Sequence, residues 1–433
     1  MARGPLNCVL IWTVLVLSAK SAEIAKLPEP YLSLAELARG ATPEFTADAL
    51  LRIFELGRMP DKDARQDLIE EAFRNAVAAR LPVRMQGLPG TTTDTASGSM
   101  GRAYDLKLDA LSLESRAVRD MLPLDPTKAR MLFGQIPRPM LSALTCDDAL
   151  VYDLSDFYQT LGAVVNGAFT PKERAKDDHL NFLSDYLGQA TSPLELAPLA
   201  QLIETVSATA QQKQALWAKL GGLLESVQAD DRSFSASLQA VNSLSAPEIQ
   251  ASLEKYRQRS TGCASDAPSN ASKKSSTPKL DAYWQSTVSR QLLASGQNLR
   301  YDRNHTPLSE ADRSTPEWQQ QVADFLNQLA GWTADQENSD ADYYHEKGIV
   351  YAALVELVPP GPQNDKLIAE YIDFISNSNL LQQSPAEWYL EPKTLLDRVE
   401  TDATMRAKIL DAYQKPGNPV LSLEVALEKT FHR

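Results

Sequence analysis

The sequence predicts an all-α protein, and three observations lead to this prediction. Helix-start patterns recur along the chain, the segments after them carry apolar residues at helical spacing, and strand-like alternation is rare. Hydrophobic residues make up 43% and charged residues 23% of the 433 residues, as in ordinary globular proteins. A formal net charge of -13 argues against nucleic acid or an anionic membrane surface as the main partner.

The first element in the chain is a candidate signal peptide over residues 1–21. Arg3 precedes an apolar run from Cys8 to Ala19, and Ala19-Lys20-Ser21 resembles a small-x-small cleavage site. A run of about 12 residues is shorter than the roughly 20 that a membrane-spanning helix needs. We therefore expect an exported protein, periplasmic or extracellular, with no stable membrane span after cleavage.

An N-terminal helical region is predicted over residues 22–258, interrupted by a flexible loop at 86–101. Within 64–79, apolar residues follow the i, i+3, i+4 rule of an amphipathic helix. Leu106–Leu113 and Leu421–Leu427 alternate like strands. Because Ala, Glu and Leu favour helices, helix is the preferred interpretation of both segments and strand the alternative.

Four capping boxes mark helix starts, each with Ser or Thr followed three residues later by Glu. They begin at Thr170, Ser192, Ser245 and Ser384. Three of them place Pro at the first helical position, where its missing N–H costs nothing. Weaker starts of the same kind begin at Thr42, Asp125 and Thr315. The starts between Pro171 and Glu248 recur about every 20 residues, which predicts stacked antiparallel helical hairpins in an α-solenoid-like array.

A low-complexity linker is predicted over residues 259–279, because this stretch has almost nothing to bury. It separates the N-terminal region from a second helical region over residues 280–433, which is richer in Trp, Tyr and His. Cys146 and Cys263 are the two cysteines that remain after signal cleavage. One disulfide between them and two unpaired thiols are equally compatible with the sequence.

No residue is predicted to be catalytic, to bind a cofactor or to ligate a metal. The common zinc spacings, the nucleophile elbow and the glycine-rich phosphate fingerprints are absent from the sequence. Glu173, Asp177, Asp178 and His179 lie on one predicted helix, but the interleaved basic residues favour a solvated surface.

The candidate ligand surface lies in the C-terminal region, at Tyr343, Tyr344, His345 and Glu346 with Trp332 nearby. Aromatic residues with a polar end favour interfaces, and a first helical turn offers free amides to an anionic group. The competing interpretation is that these aromatic residues form the core of a smaller region.

The preferred functional hypothesis is an exported, non-catalytic helical-repeat protein. It would act as a binding module or envelope scaffold for another macromolecule, with a protein or envelope component as partner and no cofactor. The alternative is an all-α exported enzyme of the helical-toroid type, which would act on glycans through two carboxylates across a cleft.

Overall fold

The computed structural model describes residues 27–87, 104–146, 148–227, 246–259, 298–332, 357–376, 402–415 and 417–431, with short pieces at 101, 232–233, 296, 347–348, 350–351, 354–355 and 395–397. Over these residues the chain is mostly helical, which confirms the predicted all-α character. None of the helices in these ranges is long and apolar enough to cross a membrane.

The N-terminal part consists of α-helices. They are α1 (Tyr31–Ala38), α2 (Pro43–Leu56), α3 (Lys62–Val77), α4 (Ala110–Met121), α5 (Pro126–Phe133), α6 (Ser155–Gly167), α7 (Pro171–Arg174), α8 (Asp178–Gly188), α9 (Leu196–Thr205), α10 (Ala210–Ser226) and α11 (Gln250–Gln258). Each of the first five helices packs against the next in sequence, and α10 packs against α8, α9 and α11. Consecutive elements are usually adjacent in space, which favours this packing between sequence neighbours.

The C-terminal part also consists of helices. They are α12 (Glu310–Arg313), α13 (Pro316–Gly331), α14 (Pro362–Ser376), α15 (Ala403–Gln414) and α16 (Pro419–Phe431). The predicted linker lies outside the described residues except for Arg259, so the boundary between the two regions stays a prediction.

A small antiparallel sheet interrupts the helices of the N-terminal part. Strand β1 (Met85–Gly87) pairs with β2 (Leu150–Tyr152), with Gln86 opposite Val151. The predicted flexible loop at 86–101 is therefore wrong at its first two residues, which belong to β1, while residues 88–100 lie outside the described residues. Strand β1 forms by pairing with a segment about 65 residues away. Local composition does not predict a pairing over that distance.

Several predicted helix starts are confirmed by their hydrogen bonds. At Thr170 the full capping box is present, because its Oγ1 accepts from the Glu173 N–H and the Glu173 carboxylate accepts from the Thr170 N–H. Asp125 and Thr315 cap α5 and α13 in the same way as N-cap acceptors. At Ser192 the prediction is corrected, because a short 3₁₀ helix follows in place of an α-helix. The Ser192 Oγ accepts from the Leu194 N–H and not from the N–H three residues on. Ser245 and Ser384 lie outside the described residues.

The two segments with alternating patterns differ from each other. Leu421–Leu427 lies within α16, as predicted. Of Leu106–Leu113 only the part from Ala110 onward is helical, so the prediction of a helix over the whole segment is wrong. Lys107 has a positive φ of 58°, which right-handed helix excludes, and the Asp109 carboxylate starts α4 by accepting from the N–H three residues on.

Two apolar cores form within the described residues. The larger core lies in the N-terminal part around α2, α3, α4 and α6, with Leu50, Ile69, Val118 and Leu161 fully buried. The smaller core lies in the C-terminal part and is rich in aromatic side chains, with Trp318, Tyr371 and Tyr413 buried.

Helix α16 contributes to both cores. Val420, Leu423 and Leu427 pack in the larger core, while Leu421 and Val425 pack in the smaller one. Helical geometry places these two sets on different faces of one helix. The last helix of the chain therefore joins the N-terminal and C-terminal parts through direct packing.

Candidate functional site

Of the five residues of the predicted ligand surface, the structure describes only Trp332. Tyr343, Tyr344, His345 and Glu346 lie outside the described residues. Trp332 is described, follows the last residue of α13 and is buried in the smaller core.

Lys347 lies directly after the predicted surface residues and is also buried. Its Nζ donates a hydrogen bond to the Trp332 carbonyl at 2.8 Å and lies 5.3 Å from the centre of the Phe374 ring. Burial lowers the pKa of Lys347 from its ordinary value to about 8, because the charged form loses its hydration. The structure thus places a buried ammonium beside Trp332, and the sequence analysis did not single out this lysine.

Of the two cysteines Cys146 and Cys263, the structure describes Cys146. The structure records Cys146 as disulfide-bonded. Cys263 lies outside the described residues, so the pairing of Cys146 with Cys263 stays a prediction.

The acidic cluster at 173–179 does not form on a single helix, which corrects the sequence analysis. Helix α7 ends at Arg174, Asp177 has a positive φ of 60°, and α8 begins at Asp178. Glu173 and Asp177 are therefore not i, i+4 neighbours on one helix. Across the described parts of the chain, no group of three or more His, Cys, Asp or Glu side chains could hold a metal ion.

A groove of about 750 Å³ lies between α13 and the segment before α12. The segment folds back on itself as a narrow loop, because Tyr301 and Pro307 form an isolated antiparallel bridge and the Leu308 N–H donates to Arg300 O at 2.9 Å. Trp318 fixes this loop to α13, since its indole N–H donates to the Leu299 carbonyl at 3.1 Å. Helix α13 therefore forms one side of the groove, and a loop that is fixed by hydrogen bonds forms the other.

The floor of the groove is apolar. It consists of Leu299, Leu308, Trp318 and Phe325, of which all but Leu308 are buried. Trp318 and Phe325 are seven residues apart on α13 and so share one face of the helix. Contact with this floor would remove apolar surface of a bound group from water, which is the main favourable term in association.

The rim of the groove carries an excess of negative charge. Four carboxylates line it, from Asp302, Asp312, Glu317 and Asp324, against a single guanidinium from Arg303. The hydroxyl groups of Tyr301 and Thr315 and three side-chain amides, which can donate and accept hydrogen bonds, also line the groove. The amides belong to Asn298, Gln321 and Gln328. The formal charge of the lining is therefore -3.

Hydrogen bonds keep two of these carboxylates ionised. Backbone N–H groups of Thr306 and Asn304 donate to the Asp302 carboxylate, which lowers its pKa. The hydroxyl and the backbone N–H of Ser309 donate to the Asp312 carboxylate and lower its pKa as well. A carboxylate that accepts several hydrogen bonds is stabilised in its charged form. The rim is therefore anionic over the whole neutral pH range.

A second polar centre lies in the N-terminal part, around the buried carboxylate of Asp156. Three cationic side chains surround it: Arg119 at 3.2 Å, Lys107 at 3.2 Å and Arg84 at 3.6 Å. Arg84 also pairs with Asp153 at 2.5 Å. Arg84 lies 3.8 Å from the Asp105 carboxylate as well, so three cations face three carboxylates. These pairs join the start of α6 to α4 and to the residue before β1, and we interpret the centre as a structural junction.

Sequence reasoning found the helix start at Thr315 but missed the groove beside it. The signal available was the spacing of Trp318, Gln321 and Phe325, which lie on one helical face. That spacing is equally typical of a core stripe, and only the position of the loop at 298–308 distinguishes the two. Comparisons with protein families, with curated proteins and with solved structures found no match to this chain.

Proposed function

We propose that the protein is an exported, non-catalytic binding module, and that the groove between α13 and the 298–312 segment takes a positively charged segment of another protein. The observation that carries the proposal is the lining of this groove, with four carboxylates against one guanidinium above an apolar floor. Charge complementarity directs association, and the apolar floor supplies contact area for the aliphatic stems of Lys or Arg. Export rests on the candidate signal at residues 1–21.

The architecture that we propose for the module is a stack of antiparallel helical hairpins. The packing of helices against their sequence neighbours in the N-terminal part supports this arrangement. In such stacks each hairpin contacts mainly its neighbours, and the exposed faces serve as binding surfaces.

Binding is better supported than glycan hydrolysis. A glycosidase needs one carboxyl group whose pKa is raised, so that it donates a proton to the leaving oxygen. In the groove, hydrogen bonds lower the pKa of both Asp302 and Asp312. These two groups suit the attraction of a cation and do not suit proton donation.

Isothermal titration of the full chain with penta-lysine, and with penta-glutamate for comparison, tests the proposal. We expect penta-lysine to bind, more tightly at low salt, and penta-glutamate not to bind. The double variant Glu317→Gln/Asp324→Asn should weaken penta-lysine binding about tenfold or more, because two rim charges are removed.

The matched control is Glu310→Gln, which removes an exposed carboxylate of α12 that does not line the groove. Its affinity for penta-lysine should equal that of the unmodified chain. Absence of penta-lysine binding, or equal weakening by the control, would contradict the proposal.

A further inference from the structure

Residues 137–144, which we call the Pro137–Leu144 segment, run without helix or strand between α5 and β2. Pro137 and Pro139 fix their own φ and bias the residues before them toward extended backbone. The segment contains no carboxylate, and its single charged side chain is Arg138. The two prolines therefore favour extended backbone in the first half of the segment, and the segment carries little charge of its own.

The backbone of this segment is not paired within the described protein. The last backbone hydrogen bond before it is from the Ile136 N–H to Phe133 O, and the next is from the Thr145 N–H to the Asp148 carboxylate. Between them, six non-proline N–H groups and eight carbonyls make no hydrogen bond to any described residue. An extended backbone with free polar groups is the element that proteins use to add a strand to a partner.

Both ends of the segment are held firmly. Ile136 and Leu144 are buried at either end. After the segment, the Asp148 carboxylate accepts from the Thr145 N–H at 2.7 Å and from its hydroxyl at 3.0 Å, and Cys146 is disulfide-bonded. These contacts restrict the segment before any partner binds, which lowers the entropy cost of association.

The Arg138 side chain packs against the protein and so restrains the segment. Its guanidinium carbon lies 3.9 Å from the centre of the Tyr186 ring, and both terminal nitrogens are buried. The guanidinium also lies near Glu195. Burial raises the pKa of Glu195 to about 6, and the positive charge of Arg138 opposes that rise. The second residue of the segment is thus turned inward and fixed by a cation–π contact.

Met140 is turned the opposite way. Its side chain is 96% exposed, the highest value among the exposed large apolar residues that the structure describes. Its neighbours Pro139 and Leu141 are both half-buried, and Leu141 packs against the larger core. A single unbranched apolar side chain therefore projects from a backbone that is restrained at both ends.

We propose that the Pro137–Leu144 segment is a recognition strand for the substrate cleft of an endopeptidase with an apolar primary pocket, and that Met140 occupies this pocket. Such a cleft needs free backbone groups on both sides of one projecting side chain. A partner that added a long strand would need several free side chains in succession, and here Arg138 and Leu141 face the protein. The restrained ends make the segment a bound inhibitor rather than a rapidly cleaved substrate, as preorganised loops are in tight protease–inhibitor pairs.

The test uses the full chain with chymotrypsin, whose primary pocket is apolar, and with trypsin, whose primary pocket holds an aspartate. Hydrolysis of a small peptide substrate is measured against rising protein concentration, and intact mass is followed in parallel. We expect competitive inhibition of chymotrypsin and no inhibition of trypsin. Met140→Asp should weaken the inhibition about 100-fold, and Met140→Lys should transfer it to trypsin.

The matched control is Met131→Asp, which changes another exposed methionine, on α5, outside the segment. Its inhibition of chymotrypsin should be unchanged. Arg138→Ala should convert the segment into a substrate, seen by mass as cleavage after Met140. Three outcomes would overturn the proposal: no inhibition of chymotrypsin, equal inhibition by Met140→Asp, or a concentration-dependent dimer that protects the segment.

Discussion

Buried carboxyl groups of the larger core and exposed carboxyl groups of the groove have pKa values that are shifted in opposite directions. On α4, burial raises the pKa of Glu114 to about 7, and the charge of Asp109 adds to the rise. Asp120 on the same helix also has a pKa raised to about 7, first by burial and then by the nearby Glu55. In the groove of the C-terminal part, exposed Asp302 and Asp312 have lowered pKa values because hydrogen bonds stabilise their charge.

This difference separates carboxyl groups that are buried among helices from carboxyl groups that stay in contact with water. The larger core buries ionisable groups among helices, which destabilises their charged forms. The groove keeps its carboxylates in water and charged, where they attract a partner of opposite sign. The same residue types therefore serve packing in one part and, in our proposal, recognition in the other.

The connection between the two parts is the first place to test the comparison. Arg52 on α2 pairs with Glu424 at 2.8 Å and with Glu428 at 3.2 Å, both on α16. Glu428 also pairs with Arg406 on α15. Arg52→Ala should lower the free energy of unfolding by about 3 kcal/mol, because it removes a cation from two buried carboxylates.

Denaturant unfolding of Arg52→Ala, followed by tryptophan fluorescence and by circular dichroism, measures this effect. Four of the six Trp residues lie in the C-terminal region, so the two signals should separate if the parts lose their coupling. Arg58→Ala, at an exposed arginine just after α2, is the control and should change stability by less than about 0.5 kcal/mol. Loss of the same stability in both variants would refute the role of the Arg52 pairs.

The pH dependence of the larger core sharpens the comparison further. Because the folded pKa of Glu114 lies above its ordinary value, the folded state binds more protons than the unfolded state between about pH 4.5 and 7. The stability contribution of Glu114 is therefore fully present below that window and is lost as the pH rises through it.

Glu114→Gln should remove this loss, and at pH 8 it should recover about 3 kcal/mol relative to its effect at pH 4. Urea unfolding at four or five pH values gives the slope directly. Asp302→Asn in the C-terminal part is the control, because its lowered pKa acts at lower pH. An unchanged slope between pH 4.5 and 7 in Glu114→Gln would show that burial does not control this carboxyl group.

A further effect is expected at Lys347 in the smaller core. Its folded pKa of about 8 lies below the ordinary value of 10.5, so the unfolded state binds more protons between these values. Stability should rise by about 3 kcal/mol as the pH increases from 8 to 10.5, since each pKa unit corresponds to about 1.4 kcal/mol. Lys347→Met should remove this rise, and thermal unfolding in that pH range measures it. A rise of the same size in the variant would assign it to another group.

Much of the fold was accessible from local sequence. The start of α13 at Thr315-Pro316, the capping box at Thr170 and the helix over Leu421–Leu427 are set by interactions within a few residues. Asp177 shows the limit of such reasoning, because it lies within a continuous helical pattern yet takes a positive φ. The turn there ends the helical conformation between α7 and α8, and the local pattern of residues does not indicate such a break.

The sequence by itself determined the helical class and the helix starts at Asp125, Thr170 and Thr315, because caps, prolines and apolar spacing act over three or four residues. Only the tertiary structure decided the pairing of β1 with β2, the groove between α13 and the loop at 298–308, and the two-faced burial of α16. Each of these depends on groups far apart in sequence. The tertiary structure also decided the direction of the pKa shifts. Burial among helices raises the pKa of a carboxyl group, while hydrogen bonds at an exposed position lower it.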